Sequence, residues 1–277
     1  MFILSLCIFS SCTPYQTTPH PPRKVDSLTV TQIDGRPYCS IISLSGRSSQ
    51  WMIDSGASHS VIFENSSVLT DTSMSSSTSF QKNIHGVFGE QVTSMKYFKL
   101  NTQNNINLEG FAFPSKKTKA IHQSSGIIGL ETLRNNHAHL YFMSDTLTWN
   151  TPPMKSAHIL PLIEHPESRL FFLRTYIAGT TMHFLVDTGA SRSILSMKTA
   201  KQIGIKASPS RAKVTGVHNQ SQAANITPPL QLRFGISQNR ITSRLFVTDL
   251  GHFKKNLQVG EAFEIHGIIG YDLLEAV

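Results

Sequence analysis

Short apolar runs alternate with turn residues along most of this chain of 277 residues. Leu28 to Ile33 is followed by the turn pair Asp34-Gly35 and then by Tyr38 to Leu44. Strand-length runs separated by Gly and Asp turns predict β-hairpins, and the pattern recurs in the second half of the chain, where Met182 to Asp187 ends another hairpin. Ser191 to Gly204 differs, because its apolar residues recur with a helical period and predict a helix.

One motif occurs twice along this pattern. Trp51 to Ser58 and Phe184 to Ser191 are both apolar runs that end in Asp, Ser or Thr, Gly, Ala and Ser. An Ile-Ile-Gly segment follows each copy, ending at Gly129 and at Gly270. Landmarks that recur in the same order at similar spacing indicate an internal duplication, and the repeat is long enough for two domain-sized lobes.

The duplicated aspartates, Asp54 and Asp187, suggest a catalytic pair of carboxyl groups. A single Asp-Ser/Thr-Gly tripeptide is usually a surface turn. Two copies on matching scaffolds can place two carboxylates side by side across a pseudo-twofold axis. Because two close carboxylates cannot both ionise, one keeps a proton while the other acts as a base, which is the apparatus for activating water against an amide.

With these motifs the chain resembles the clan of aspartic proteases in which pepsin is the two-lobed form and retropepsin the homodimer. Alanine after each motif glycine, at Ala57 and Ala190, is similar to the retropepsin side. The resemblance implies a mostly β fold of two homologous β-barrel lobes with the active site between them. The expected organisation is a leader and tether over 1–24, an N-terminal lobe over 25–150, a linker over 151–168, and a C-terminal lobe over 169–277 that lacks its last strands.

The resemblance also assigns roles to residues. It implies that Asp54 and Asp187 are catalytic. It implies supporting roles in the active-site loops for Ser55, Gly56, Ala57, Thr188, Gly189 and Ala190, with Ser55 and Thr188 cross-bracing the two motifs. Substrate-covering flaps are predicted at His85, Gly86, Val87, Phe88 and Gly89 and at Thr215, Gly216 and Val217, where ordinary hairpin turns are the alternative.

Composition and charge indicate which classes of partner the protein binds. The formal charge is +8, but the basic residues are scattered and do not form the stripe that nucleic acid requires. No metal-ligand spacing appears among the His and Cys residues, so neither metal nor cofactor is expected. The expected partner is a peptide or protein substrate, and a monomer is expected because one chain holds both motifs.

The N-terminus predicts a location. Phe2 to Cys12 is a short apolar run that ends in Ser-Ser-Cys and is similar to a bacterial lipoprotein leader. Lipidation of Cys12 would attach the protein to a membrane, so the predicted location is extracytoplasmic, in the bacterial periplasm or envelope. A buried N-terminal strand is the alternative. If Cys7 and Cys12 belong to the leader, Cys39 is the one cysteine in the folded body, and a buried, inert thiol is expected there.

These observations predict an aspartic endopeptidase that hydrolyses peptide bonds with water and no metal. The alternative is a catalytically silent peptide-binding or envelope structural module on the same fold. The alanines at Ala57 and Ala190 offer no hydroxyl to the carboxylates. Fewer donors to the charged form predict activity centred at mildly acidic pH, roughly 4.5 to 6.

Overall fold

A computed structural model gives the architecture. It describes residues 5–7, 26–74, 80–86, 89–113, 124–150, 160–215, 221–235, 240–251 and 264–276. Two large sheets account for most of these residues, one in each half of the chain. The predicted mostly β, two-lobed fold is confirmed.

The N-terminal sheet has the strand order β1-β11-β12-β2-β3-β4-β10-β5-β9-β8-β6, with β7 paired to β8. Its strands are β1 (Ser5–Cys7), β2 (Asp26–Ile33), β3 (Arg36–Ile42), β4 (Ser48–Asp54), β5 (Ser60–Phe63), β6 (Ser73–Met74), β7 (Phe80–Gly86), β8 (Gly89–Asn101), β9 (Asn107–Phe113), β10 (Gly126–Gly129), β11 (His139–Tyr141) and β12 (Thr146–Trp149). A 3-10 turn (Leu69–Asp71) and helix α1 (Leu130–Asn135) complete the described part of this lobe.

The C-terminal sheet has the order β17-β18-β21-β16-β22-β15-β14-β19-β20, with β13 paired to β14. Its strands are β13 (Leu162–Glu164), β14 (Phe171–Ile177), β15 (Thr180–Val186), β16 (Ile194–Ser196), β17 (Ser208–Thr215), β18 (Ser221–Ile226), β19 (Leu230–Phe234), β20 (Arg240–Ser243), β21 (Phe246–Thr248) and β22 (Ile265–Ile269). Its helices are α2 (Met197–Gln202) and α3 (Tyr271–Leu274).

One strand in each lobe passes between the two strands that flank an aspartate loop. In the N-terminal lobe β10 runs parallel to β4 and antiparallel to β5. In the C-terminal lobe β22 runs parallel to β15 and antiparallel to β16. The crossing is tight, because a Cβ on Gly126 would lie 2.2 Å from the carbonyl oxygen of Val61, and a Cβ on Gly267 would lie 2.2 Å from that of Ile194. Glycine is therefore the one residue that fits at either crossing.

The core lies beneath these crossing strands. Ile127, Ile128, Ile268 and Ile269 are all buried, as expected for residues that fill the space under the aspartate loops. A smaller apolar cluster in the N-terminal lobe joins the first aspartate loop to the base of the β7–β8 hairpin. Its members include Ala57 in the loop and buried Met95 on β8, together with Tyr38, Met52, Phe63, Phe113 and Ile127.

One local prediction was wrong. The predicted helix over Ser191 to Gly204 is strand β16 followed by the short helix α2. Ile194 and Leu195 are buried in the sheet against β22, so tertiary pairing overrides the weak helical period. Within the predicted linker over 151–168, the described part contains β13, which pairs with β14 of the C-terminal sheet.

The N-terminal apolar run has one described segment. Ser5–Cys7 forms β1 and pairs antiparallel with His139–Tyr141 at the edge of the N-terminal sheet. No helix among the described residues is long and apolar enough to cross a membrane.

The crossing geometry predicts a large effect of one methyl group. We expect Gly267→Ala to lower the free energy of unfolding by about 2–3 kcal/mol, because the new Cβ would overlap the Ile194 carbonyl and the Phe184 ring. The control is Gly179→Ala. Gly179 has φ +78° and open space around its Cα, so the loss there should be only the left-handed backbone strain of about 1 kcal/mol. Urea unfolding of both variants checks this, and equal losses would contradict the crowding at Gly267.

Candidate active site

The two aspartates meet at the centre of the molecule. Asp54 is the last residue of β4, and Asp187 follows β15 directly. The Asp187 backbone N–H donates to the carbonyl oxygen of Ile269 at 3.0 Å, which ties the second loop to the crossing strand. The two carboxyl groups lie close enough for each to alter the pKa of the other. The fold therefore brings together two side chains that are 133 residues apart in sequence.

The motif glycines permit this approach. A Cβ on Gly56 would lie 2.4 Å from the Asp187 carboxyl carbon, and a Cβ on Gly189 would lie 2.4 Å from the Asp54 carboxyl carbon. Each glycine thus faces the aspartate of the opposite lobe. Any side chain at either position would push the two carboxyl groups apart.

The residues between aspartate and glycine join the lobes by four reciprocal hydrogen bonds. Thr188 Oγ1 donates to the carbonyl oxygen of Ile53 at 2.8 Å and accepts from the Ser55 backbone N–H at 2.9 Å. Ser55 Oγ donates to the carbonyl oxygen of Val186 at 2.9 Å and accepts from the Thr188 N–H at 3.0 Å. Both residues are buried, so these bonds hold the two loops in one register.

A further pair of serines, six residues after each aspartate, was missed by the sequence analysis. Ser60 Oγ accepts from the Gly129 N–H at 3.0 Å, and Ser193 Oγ accepts from the Gly270 N–H at 2.9 Å. Each serine therefore fastens its aspartate loop to the crossing strand that supports it. The repeat Asp-Ser/Thr-Gly-Ala-Ser-x-Ser, extended by two residues beyond the motif, carries the signal that would have identified them.

Backbone N–H groups hold the carboxylates. Asp54 Oδ1 accepts from the N–H groups of Gly56 at 2.9 Å and Ala57 at 3.0 Å. Asp187 Oδ1 accepts from the Ala190 N–H at 3.1 Å. Donation to a charged carboxylate lowers its pKa, so the main chain supplies what the alanine side chains lack.

Burial raises the pKa of both carboxyls and so opposes the effect of these donors. Removal from water raises the pKa of Asp54 above its usual value, and the hydrogen bonds from Asp187, Gly56 and Ala57 oppose the rise. The pKa of Asp187 is raised well above its usual value, first by burial and then by the negative charge of Asp54. The pair therefore holds one proton over a range of pH in which isolated carboxyls would have lost theirs.

Direct contacts also close the lobes around the site. Ser58 Oγ donates to the carbonyl oxygen of Ser168 at 3.3 Å. Arg134 on α1 makes a bidentate ion pair with Glu164 on β13, with both N–O distances at 3.1 Å. A bidentate pair is stronger than an ion pair with a single hydrogen bond, because the planar guanidinium matches the geometry of the carboxylate.

The remaining predicted residues lie at hairpin ends or at the surface. His85, Gly86 and Gly89 lie on the β7–β8 hairpin, whereas Val87 and Phe88 lie outside the described residues. Thr215 ends β17, while Gly216 and Val217 likewise lie outside the described residues.

Two residues with reactive side chains lie apart from the dyad. His59 Nδ1 lies 2.6 Å from Glu131 Oε2 in a partly exposed surface pair beside a groove of about 830 Å³ between the lobes. Cys39 is buried, and burial raises the pKa of its thiol to about 12, which agrees with the inert role expected. Within the described ranges, no three His, Cys, Asp or Glu side chains are grouped closely enough to hold a metal ion.

Comparison with known proteins agrees with this geometry. Residues 173–253 match the family described as "gag-polyprotein putative aspartyl protease", a span that contains the second aspartate motif. Among solved structures, the fold is similar to that of the aspartic proteinase from Irpex lacteus, with a TM-score of 0.52 and 12% identity over 91% of this chain and 92% of that chain. No curated protein matches the sequence. The chain is therefore similar to an aspartyl protease family over residues 173–253, and it is similar in fold to a two-lobed aspartic proteinase over most of its length.

The raised pKa of Asp187 predicts that this residue destabilises the fold. Between the usual value of 3.8 and the raised value the folded state binds the proton more tightly than the unfolded state, so stability falls as pH rises through that range. We expect Asp187→Asn to raise the free energy of unfolding at pH 7, and the gain to shrink below the usual value, where both states are protonated.

Asp71 provides a control for which the expected change in the free energy of unfolding has the opposite sign. Hydrogen bonds from Ser43 Oγ and Ser45 Oγ, both at 2.6 Å, lower the pKa of Asp71. Its charged form therefore stabilises the fold above the usual pKa, and Asp71→Asn should lower stability at pH 7. Urea unfolding across the pH range checks both signs. A loss of stability in Asp187→Asn comparable to that in Asp71→Asn would contradict the assignment at Asp187.

Proposed function

We propose that this protein is an aspartic endopeptidase that hydrolyses peptide bonds with a water molecule activated by Asp54 and Asp187. The observation that carries the proposal is the close pair of carboxyls at the junction of the lobes, each faced by the motif glycine of the other lobe. Raised pKa values for both groups accompany this geometry. A binding module would gain nothing from two carboxyls whose ionisations conflict, whereas general acid–base catalysis requires them.

The reaction follows from unequal protonation. The ionised aspartate accepts a proton from the water as the water oxygen attacks the scissile carbonyl carbon. The protonated aspartate donates its proton to the carbonyl oxygen, which gives a neutral gem-diol. Collapse of this intermediate breaks the carbon–nitrogen bond, returns one proton to the dyad and transfers another to the departing amine. The proposed reaction therefore takes its acid and its base from the protein.

The proposed substrate is an extended peptide in the cleft between the lobes. The β7–β8 hairpin is proposed to cover it, because the apolar cluster connects Met95 at the base of this hairpin to Ala57 in the first aspartate loop. Movement of the hairpin would then shift the residues of the first aspartate loop. Since both aspartates lie in one chain and are cross-braced within it, the proposed active unit is a monomer.

Peptide hydrolysis tests the proposal directly. We expect the purified protein to cleave members of an unbiased peptide library at acidic pH, as measured by mass spectrometry of the products. Asp54→Asn and Asp187→Asn should each lower kcat/KM by at least about 10³-fold, since each removes one member of a pair that acts as a unit. Asp71→Asn is the matched control, because it changes an aspartate outside the site and should leave the cleavage pattern unchanged.

Two outcomes would contradict the proposal. Cleavage by Asp54→Asn or Asp187→Asn at the parental rate would show that the dyad does not catalyse the reaction. Binding of library peptides by a folded parent that cleaves none of them would favour the silent peptide-binding module.

The location is proposed from the N-terminal sequence. The apolar run that ends in Ser10-Ser11-Cys12 supports lipidation of Cys12 and an extracytoplasmic, membrane-attached protein of the bacterial envelope. Removal of the leader would also remove Ser5–Cys7, which pairs with β11. In a bacterial host the parent should fractionate with membranes and Cys12→Ala should not. Equal partition of the two forms would reject lipidation.

A further inference from the structure

The two aspartates are alike in sequence but have different cross-strand neighbours. In the N-terminal lobe Tyr38 pairs with Met52, and the same register continued by two residues places Arg36 opposite Asp54. In the C-terminal lobe Phe172 pairs with Leu185, and the corresponding continuation places Leu170 opposite Asp187. Asp54 therefore has a cationic neighbour, whereas Asp187 has a buried apolar one.

Arg36 also contacts the second loop. Its Nε donates to the carbonyl oxygen of Gly189 at 2.8 Å, and a Cβ on Gly189 would lie 2.4 Å from the Asp54 carboxyl carbon. The guanidinium is thus fixed beside the residue that abuts the Asp54 carboxylate. Its positive charge acts to lower the pKa of Asp54.

Other titratable and backbone groups also lie near the pair. Burial raises the pKa of Tyr38, the nearby charge of Arg36 opposes that rise, and the charges of Asp34 and Asp54 add to it. Backbone N–H groups lower the pKa of both carboxyls, from Gly56 and Ala57 at Asp54 and from Ala190 and Gly189 at Asp187, so the difference lies in Arg36 and not in these donors. Among the described residues, the charged group that raises the pKa of Asp187 is Asp54 itself.

We propose that Arg36 is a positioning residue that fixes the negative charge on Asp54 and leaves the proton on Asp187. The inference rests on the proposed function and assigns its two roles. Asp54 is the base that accepts the proton of water, and Asp187 is the acid that protonates the carbonyl oxygen. The single Arg36–Gly189 contact also fastens one lobe to the catalytic loop of the other, so it sets both geometry and charge.

Two variants separate the effect of the Arg36 charge from the effect of its hydrogen bond to Gly189. Arg36→Gln keeps an N–H donor that can reach the Gly189 carbonyl but removes the charge, whereas Arg36→Lys keeps the charge. Arg169→Gln is the control, because it removes an arginine that pairs with Glu164 at 2.5 Å on the matching turn of the C-terminal lobe. The measurements are the pH dependence of kcat/KM and ¹³C NMR titration of labelled aspartate carboxyls, assigned with Asp54→Asn and Asp187→Asn.

We expect Arg36→Gln to move the acidic limb of kcat/KM upward by about one pH unit, because loss of a nearby positive charge makes the first ionisation of the pair harder. On that limb kcat/KM should fall about tenfold at fixed pH. Arg36→Lys should restore most of the shift, and Arg169→Gln should leave the limb in place. In the parent, the Asp54 carboxyl should lose its proton first.

The NMR titration separates the possible failures. A parent that cleaves no peptide, but in which Asp54 ionises first and Arg36→Gln delays that ionisation, would reject the peptidase and retain the role of Arg36. A parent that cleaves peptides with a limb unmoved in Arg36→Gln would overturn the role of Arg36 and leave the peptidase standing. If Arg36→Gln does not fold, the order of ionisation in the parent decides, and loss of the first proton from Asp187 overturns the inference.

Discussion

The structure depends on keeping two carboxyl groups close together at the junction of the two lobes. Asp54 and Asp187 would repel each other if both were ionised, and burial raises the pKa of both. The four hydrogen bonds between Ser55 and Thr188 and the opposite main chains oppose that repulsion without touching the carboxyls themselves. Each lobe thus supplies hydrogen-bond partners to the main chain beside the other lobe's aspartate.

Duplication gives the site its symmetry, and a few residues break it. The serines at Ser60 and Ser193, the crossing glycines at Gly126 and Gly267 and the loop alanines are equivalent in the two lobes. Arg36 has no such counterpart, since Leu170 takes the matching register position. A symmetric dyad would have no preference for which carboxyl keeps the proton, so chemistry that needs one acid and one base benefits from this difference.

Sequence reasoning succeeded where the signal was repeated. The paired motifs identify the two aspartates, and strand patterns with Gly turns give most hairpins, because local polarity and turn chemistry fix those features. It failed where tertiary pairing decides, as at Ile194 and Leu195, whose apolar side chains fit a strand beside β22 as well as a helix. The sequence alone does not identify Arg36, because only the strand register shows that this arginine lies opposite Asp54.

Neutron diffraction from a crystal of the protein exchanged into deuterated buffer at mildly acidic pH would test the central claim most directly. The account predicts one deuteron between the two carboxyls, bonded to Asp187, with Thr188 Oγ1 donating to Ile53 and Ser55 Oγ donating to Val186 beneath them. Two deuterium-free carboxylates that have moved apart, or a brace whose hydroxyls point elsewhere, would contradict it.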